Sequence, residues 1–299
     1  MAAAKKKKGT VGVIGMGIMG GAFARNLAAD GWRVIGYDPS KTAAAAAKRA
    51  GVTLAASATE VAEKAAVILT SLPKPAALHA TARAFAAAKL PKRTIVEMST
   101  FMIEDKEKAR QVLENAGHIL IDCPVSGTGS QAANRDLVFY ASGNAAAIRK
   151  IDRILRSFGR RAYNVGKFGN GSRMKYVANL LVAINNVASA EAMVMGMKAG
   201  LPPQLIFELI QAGAGNSRVF ELRAPMMVKG RYDDVTMKNE VWQKDMKIIG
   251  DYARSLGVAT PTFKASAGVY KAAMAQGFAR QDTGAVCAVL ERMSGVRRR

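Results

Sequence analysis

A glycine-rich segment near the start of the chain limits most strongly what this sequence can fold into. The apolar run Val11–Gly15 leads into the pattern G-x-G-x-x-G, whose glycines are Gly15, Gly17 and Gly20. A strand, a tight turn and a helix follow each other in this pattern, and the free N–H groups of the helix N-terminus favour phosphate anions. The segment predicts a dinucleotide-binding unit with these candidate cofactor contacts: Gly15, Met16, Gly17, Ile18, Met19 and Gly20.

A second strand, Arg33–Tyr37, ends in the acidic residue Asp38. Its distance from Gly15 is near the spacing of roughly 20 residues at which a carboxylate binds the adenosine ribose hydroxyls. A carboxylate there repels the 2′-phosphate of NADP, so the sequence favours NAD. Lys41 and Lys48 follow Asp38 closely in the sequence, and their positive charges would weaken that repulsion. The alternative is a glycine-rich turn without a cofactor, which the combination of strand, helix and acid makes the less favoured interpretation.

From Thr10 to about Val165, short β-rich runs alternate with alanine-rich helical segments, a pattern typical of a parallel sheet with helices on both faces. Strands are predicted at Val11–Gly15, Arg33–Tyr37, Ala66–Ser71, Thr94–Glu97, His118–Asp122, Leu137–Ala141 and Ala162–Asn164. Helices are predicted around Gly20–Ala29, Lys41–Ala50, Pro75–Ala88, Glu104–Asn115 and Ala145–Phe158.

After Gly169 the strand pattern stops and one helical pattern runs from about Gly171 to Ala199, ended by Gly200 and two prolines. Further helices are predicted at Pro203–Ala212, Val219–Met227, Glu240–Leu256, Pro261–Gln276 and Thr283–Met293. The predicted fold class is α/β, with an N-terminal Rossmann-type doubly wound parallel sheet followed by an all-helical C-terminal domain. We expect a basic disordered tail (1–9), a dinucleotide-binding domain (10–168), a helical substrate and dimerisation domain (169–295) and a second basic tail (296–299).

The chain is strongly basic, with a formal net charge of +22 over 299 residues. Part of this charge comes from the termini, at Lys5–Lys8 and Arg297–Arg299, but the rest of the chain is also basic. A positive surface steers anionic substrates and dinucleotide phosphates, and it also attracts nucleic acid without sequence specificity. We favour a solvated surface and expect no specific nucleic-acid partner.

The cysteine and histidine residues exclude several classes of protein. Cys123 and Cys287 are far apart in sequence and have apolar neighbours, so neither a disulfide framework nor a zinc motif is predicted. Neither His79 nor His118 has metal-ligand or catalytic-triad spacing, and no metal is expected. This cysteine usage fits a reducing, cytoplasmic compartment.

Two segments are candidates for a targeting or a membrane-spanning segment, and both lack the required features. The lysine-rich start leads into glycines rather than into an apolar signal region, so no export signal is expected. The apolar stretch Val177–Met197 contains several asparagines and Glu191, which argues against a membrane span.

Four motifs occur in one order along the chain. The glycine loop continues to Asn26-Leu27; Asp122-Cys-Pro-Val-Ser-Gly127 follows, then Gly169-Asn-Gly-Ser-Arg-Met-Lys175-Tyr-Val-Ala-Asn179, and finally Lys244-Asp245. Together they resemble the β-hydroxyacid dehydrogenase family, which includes 3-hydroxyisobutyrate dehydrogenase and tartronate semialdehyde reductase. The resemblance covers about residues 10–293.

The resemblance implies roles for several residues of this chain. Lys175 corresponds to the family's general acid/base, and Asn179, at i+4 on the same helix face, to a substrate-binding asparagine. The resemblance also implies substrate contacts at Ser126, Gly127 and Thr128, and cofactor contacts at Leu72, Pro73, Ser99, Thr100 and Lys244. Thr128, Gln131 and Arg135 stand where glycines are common in the family, and Ile103 stands where proline is common, which leaves the substrate open.

These observations predict an NAD-dependent oxidoreductase that interconverts a small β-hydroxy acid and its oxo acid or semialdehyde, with Lys175 moving the proton. One alternative is an imine reductase on the same scaffold, although such relatives generally lack the lysine. The other is a non-enzymatic protein that binds nucleotide or nucleic acid. We expect a small anionic hydroxy-acid substrate, no membrane partner, and a homodimer or homotetramer.

Overall fold

The computed structural model describes residues 8–298 of the chain. Residues 1–7 of the predicted disordered tail, and Arg299 of the second basic tail, lie outside the described residues. The chain divides into two compact units, the first ending at Lys175 and the second beginning at Tyr176. The domain limits that we place at residues 168 and 169 stay a prediction.

A six-stranded parallel sheet forms the centre of the first unit, with the strand order β3-β2-β1-β4-β5-β6. Its strands are β1 (Thr10–Ile14), β2 (Arg33–Tyr37), β3 (Thr53–Leu54), β4 (Val67–Thr70), β5 (Thr94–Glu97) and β6 (Ile119–Asp122). The helices of this unit are α1 (Ile18–Ala29), α2 (Lys41–Arg49), α3 (Ala58–Lys64), α4 (Pro75–Ala87), α5 (Ile103–Asn115), α6 (Gly129–Ala133) and α7 (Ala145–Leu155).

The side chains of the central strands alternate between two apolar cores, one on each face of the sheet. Val34 and Val96 belong to the core that contains Phe23 of α1. Their strand neighbours Ile35 and Ile95 belong to the other core. A strand with apolar side chains on both faces must be covered on both faces, so the predicted doubly wound arrangement is confirmed.

The last two predicted strands do not continue the parallel sheet. They are β8 (Val138–Ala141) and β9 (Arg161–Asn164), which form a three-stranded sheet with the short strand β7 (Val125–Ser126). β7 pairs antiparallel with β8 because only the short helix α6 separates them, whereas a parallel connection requires a longer crossover. The expectation of one sheet that contains all the predicted strands is therefore wrong.

The second unit is built from helices, as predicted. Its elements, including the part of α8 that lies in this unit, are α8 (Asn170–Lys198), α9 (Pro203–Ala212), α10 (Arg218–Lys229), α11 (Asn239–Ser255), α12 (Pro261–Ala275), a 3₁₀ helix (Thr283–Ala285) and α13 (Val286–Met293). Near the C-terminus, Arg298 donates to the carbonyl oxygen of Val228 at 2.9 Å and to Glu291. This arginine of the predicted basic tail therefore packs on the helical unit.

α8 is, by length and composition, apolar enough to cross a membrane. Its polar side chains make bonds typical of a core helix in a globular protein. Asn186 is buried and donates to Tyr270 Oη and to the carbonyl oxygen of Thr283, both at 2.9 Å. These bonds explain why an apolar helix carries asparagine here.

Candidate active site

The loops that carry most of the predicted cofactor residues lie side by side at the carboxyl edge of the parallel sheet. The residue directly after each of three strands donates its N–H to the carbonyl oxygen of the last residue of a neighbouring strand. These bonds run from Ser71 to Ile14, from Met98 to Thr70 and from Cys123 to Glu97, each at 2.9 Å. In open α/β sheets this edge is where ligands bind.

The glycine loop has the shape that a pyrophosphate requires. Gly15 has φ +82°, and a Cβ there would lie 2.2 Å from the carbonyl oxygen of Ser71. A Cβ on Gly20 would lie 1.9 Å from the carbonyl oxygen of Gly15, so α1 packs too closely for a side chain. Gly17 has open space around it and is the N-cap of α1 without a side-chain cap. The N-terminus of α1 is therefore open to an approaching phosphate.

Asp38 closes the glycine loop from the end of β2. Its Oδ2 accepts the N–H of Met16 at 2.5 Å, and its Oδ1 accepts the N–H of Ser40 at 2.8 Å. Each carboxylate oxygen has a further lone pair. Asp38 thus holds the loop and retains capacity for a hydroxyl donor.

A buried carboxylate ties together the loops that carry Leu72 and Ser99. Glu97 Oε1 accepts the N–H of Ser99 at 2.8 Å, and its Oε2 accepts the hydroxyl of Thr70. Ser99 Oγ in turn accepts the N–H of Leu72 at 2.8 Å. Two of the predicted cofactor residues are therefore bonded to each other.

The predicted substrate segment leaves β7 and enters α6. Gly127 has φ +139°, and a Cβ there would lie 2.5 Å from Leu137, so the segment requires glycine at this position. The N–H of Thr128 donates to Gln131 Oε1 at 3.1 Å, and Gln131 Nε2 donates to Asp136 Oδ2 at 3.2 Å. The N–H of Thr128 is therefore bonded within the loop itself.

Lys175 lies near the start of α8 and is only 8% exposed. The first turn of this helix is bonded to Asp122, the last residue of β6. Asp122 accepts the N–H and the hydroxyl of Ser172, both at 2.8 Å. Asp122 is thus bonded to the helix that carries the predicted base and precedes the predicted substrate residue Ser126 by four residues in the chain.

The remaining predicted residues, Asn179 and Lys244, lie in the second unit. Asn179 is buried on α8 and donates to Asp245 Oδ2 at 3.0 Å. Lys244 on α11 lies 3.0 Å from Asp245 Oδ1. Within this unit, Asp245 therefore brings the two residues together.

Sequence reasoning assigned no role to the residues that hold the site in place, namely Glu97, Lys106 and Asp122, although Asp122 is the first residue of the second motif. For Lys106 a signal was available, because it falls on the same face of α5 as the buried residues Ala109 and Leu113. A lysine in an apolar stripe has to find a buried partner. Across residues 8–298, no group of three or more His, Cys, Asp or Glu side chains is placed to hold a metal ion.

Comparison with known proteins agrees with this geometry. The model of the NAD binding domain of 6-phosphogluconate dehydrogenase matches residues 10–166, and the NAD-binding model of NADP-dependent 3-hydroxyisobutyrate dehydrogenase matches residues 169–290. An L-threonate dehydrogenase of Haemophilus influenzae is 30% identical over 292 residues, which cover 95% of this chain and 96% of that protein. The chain belongs to the β-hydroxyacid dehydrogenase family.

A solved structure of this family is similar throughout. The 3-hydroxyisobutyrate dehydrogenase of Mycobacterium tuberculosis, with L-serine, has a TM-score of 0.84 and 28% identity, over 94% of this chain and 98% of that one. The predicted family, fold class and activity class are confirmed: the chain is an NAD(P)-dependent oxidoreductase acting on CH–OH groups.

An imine reductase of Streptomyces aurantiacus shares the fold, with a TM-score of 0.61 and 19% identity, over 95% of this chain and 99% of that one. This likeness concerns the fold alone. Imine reduction is therefore the less supported alternative for this member of the β-hydroxyacid dehydrogenase family.

Proposed function

We propose that this β-hydroxyacid dehydrogenase uses NAD to interconvert a small β-hydroxy acid and its oxo acid or semialdehyde, with Lys175 as the general acid/base. The observation that carries the proposal is the burial of Lys175 at the start of α8, where Asp122 ties that helix to the chain leading to Ser126. Asp122 thereby fixes the helix that carries the proposed base, and it lies in the same chain segment as the hydroxyl proposed to hold the substrate.

Oxidation of an alcohol requires a base within hydrogen-bond reach of its hydroxyl. When bound, the nicotinamide ring supplies the hydride acceptor. Burial disfavours a charged lysine. Lys175 is buried and lies in the first two turns of α8, so it is suited to take the hydroxyl proton at Nζ and to return it in reduction.

The proposed cofactor is NAD rather than NADP. Asp38 supports this choice, because its carboxylate stands beside the glycine loop at the end of β2, where a ribose 2′-phosphate would meet a like charge. Leu72, Pro73, Ser99 and Thr100 would border the nicotinamide end from the neighbouring loops. Lys244 is also proposed as a cofactor contact.

The proposed substrate is a small anion. Ser126 and Gly127 would hold its carboxylate through a hydroxyl and a backbone N–H, and Thr128 and Asn179 are further proposed contacts. The net charge of +22 favours the approach of such an anion over long range. The names of the relatives suggest hydroxy acids such as L-threonate and 3-hydroxyisobutyrate for the first trials.

The proposed assembly is a homodimer or homotetramer in the cytoplasm. Leu205 and Leu209 stand one turn apart on α9, and Leu209 is 65% exposed. Met195 of α8 is 74% exposed. Exposed apolar side chains of this size are suited to contact a second copy. The buried, unpaired thiols of Cys123 and Cys287 fit a reducing compartment.

The test is a panel assay with purified protein. NAD⁺ and NADP⁺ are offered separately with 3-hydroxyisobutyrate, glycerate and L-threonate, and the absorbance of reduced cofactor is followed. We expect turnover with at least one acid and a preference for NAD⁺. Failure to bind either cofactor would contradict the proposal, whereas cofactor binding without turnover would direct the search to other hydroxy acids.

A further inference from the structure

A fully buried ion pair lies in the first unit, between two residues that are not proposed to touch cofactor or substrate. Lys106 Nζ on α5 lies 2.9 Å from Asp122 Oδ1 at the end of β6, and both side chains are 0% exposed. Removing two charges from water is costly, and if one partner of the pair is then lost, the other remains as an uncompensated charge in the interior. A pair of this kind therefore fixes its two elements in one relative position.

The same carboxylate is the acceptor for the first turn of α8. Oδ1 accepts the Ser172 hydroxyl at 2.8 Å in addition to Lys106, and Oδ2 accepts the Ser172 N–H at 2.8 Å. Ser142 donates its hydroxyl to Oδ2 at 3.1 Å and accepts the N–H of Gly171 at 3.0 Å. Donors to Asp122 thus come from α5, from the residue after β8 and from α8.

Close packing leaves the helix little freedom at this point. A Cβ on Gly171 would lie 2.2 Å from the carbonyl oxygen of Tyr140 and 2.9 Å from that of Asp122. Ser172 precedes Lys175 by three residues, which places both on the same side of the helix. A shift of Asp122 is therefore transmitted over less than one turn to the lysine.

We infer that Lys106 is a positioning residue, which holds Asp122 so that the first turn of α8 presents Lys175 at a fixed place beside the segment that leads to Ser126. The inference rests on the proposed role of Lys175. Without the Lys106 ammonium, the carboxylate remains buried with hydroxyl and amide donors alone, and it must move toward water or take up a proton. Either change alters the acceptor of Ser172.

The central variant is Lys106→Met, which keeps an unbranched apolar stem one atom shorter than that of lysine and removes the charge. We expect kcat per cofactor-binding site to fall about 10- to 100-fold, with the Kd for NAD unchanged within twofold. The double variant Lys106→Met/Asp122→Asn is expected to recover kcat to within about threefold of wild type. An asparagine oxygen still accepts from Ser172 and Ser142, and no uncompensated charge remains. Because the double substitution would also restore the stability of a purely structural ion pair, kcat is expressed per cofactor-binding site, which leaves unfolded protein out of the comparison.

The matched control is Asp105→Asn, one residue away on α5. Asp105 pairs with His79 Nε2 at 3.0 Å near the surface and is not among the partners of Asp122. This control should keep wild-type kcat. If Lys106→Met fails to fold, Ser172→Ala takes its place, because it removes one donor and leaves the ion pair. A fall in kcat of about 3- to 10-fold is then expected.

Amide hydrogen exchange tests the anchoring without using activity. The N–H groups of Gly171 and Ser172 should exchange at least about tenfold faster in Lys106→Met than in wild type or Asp105→Asn. Unchanged exchange, unchanged kcat, or a double variant no better than the single one would overturn the inference. Lys175→Met is measured in parallel: if it remains active, the proposed base is wrong, and the exchange result still decides whether Lys106 anchors α8.

Discussion

The side-chain amide of Asn179 donates a hydrogen bond to Asp245 Oδ2 at 3.0 Å, which joins α8 to α11 within the second unit. Both side chains are buried. Asp245 also lies 3.0 Å from Lys244 through its other oxygen. One carboxylate thus orients the proposed substrate residue Asn179 and the proposed cofactor residue Lys244.

Asn179→Asp should place two carboxylates against each other in a buried position. Like charges at this distance raise a carboxyl pKa, so the variant is expected to lose about 2 to 4 kcal/mol of unfolding free energy at pH 7. The deficit should be smaller at pH 5 than at pH 7, because like-charge repulsion makes one of the two carboxyls of the variant take up a proton as the pH falls. Denaturant unfolding at both pH values measures this, with Asn185→Asp on the same helix as control. Equal losses in the two variants would contradict the assigned contact.

Asp38→Asn should weaken the preference for NAD. The amide oxygen can still accept a backbone N–H from Met16 or Ser40, so the loop is retained while the negative charge is removed. We expect the ratio of kcat/KM for NAD to that for NADP to fall at least about tenfold, which is about 1.4 kcal/mol. The control is Asp30→Asn, a carboxylate paired with Lys8 at 2.7 Å. An unchanged ratio in Asp38→Asn would rule out this residue as the discriminator.

Gly171→Ala should displace the start of α8, because the added Cβ would lie 2.2 Å from the Tyr140 carbonyl oxygen. We expect a loss of about 1 to 3 kcal/mol in unfolding free energy and a lower kcat. Gly268→Ala in the middle of α12 meets no atom within 4 Å, and there the same change should add about 0.5 to 1 kcal/mol. Thermal and denaturant unfolding compare the two. A stabilised Gly171→Ala protein would refute the close approach.

Both thiols should be inert in the folded protein. Burial raises the pKa of Cys123 far above its usual range, with Asp122 as a further cause, and burial raises the pKa of Cys287 to about 12, with Glu291 adding to it. The thiolate is the reactive form. Because pH 8 lies below both pKa values, both groups are protonated thiols at that pH. Ellman's reagent should therefore detect almost no thiol in native protein and both thiols in guanidinium. Rapid native labelling would show that one of them is accessible.

Much of the fold could be predicted because its elements are long and regular. Arg33–Tyr37 and Pro203–Ala212 have the predicted bounds, and α8 differs by one residue at each end. β3 and β7 escaped prediction because two residues cannot show an alternating pattern. α6 is also short, although the Thr128 and Gln131 capping box that begins it is visible in the sequence. The pairing of β8 and β9 in a separate sheet depends on contacts between distant residues.

The site could be outlined but not completed from the sequence. The glycine loop and the family motifs point to residues that would touch cofactor or substrate, because their spacing follows local backbone geometry. Most bonds made by Glu97, Lys106 and Asp122 join residues that are 16 to 50 positions apart in the sequence. The exception is the bond from Ser99 to Glu97, whose residues are two positions apart. No short motif encodes such distances. The substrate itself depends on the packing around Thr128 and Gln131, which sequence spacing does not describe.

The most direct measurement is the turnover of Lys175→Ala with NAD⁺ and the best hydroxy acid of the panel, together with its Kd for NAD. General acid/base catalysis typically contributes a factor of about 10² to 10⁴, so kcat should fall by that amount while cofactor affinity stays within about threefold. Lys198→Ala, a lysine at the far end of the same helix, is the control. A Lys175→Ala protein with kcat within tenfold of wild type would contradict the assignment of Lys175 as the residue that moves the proton.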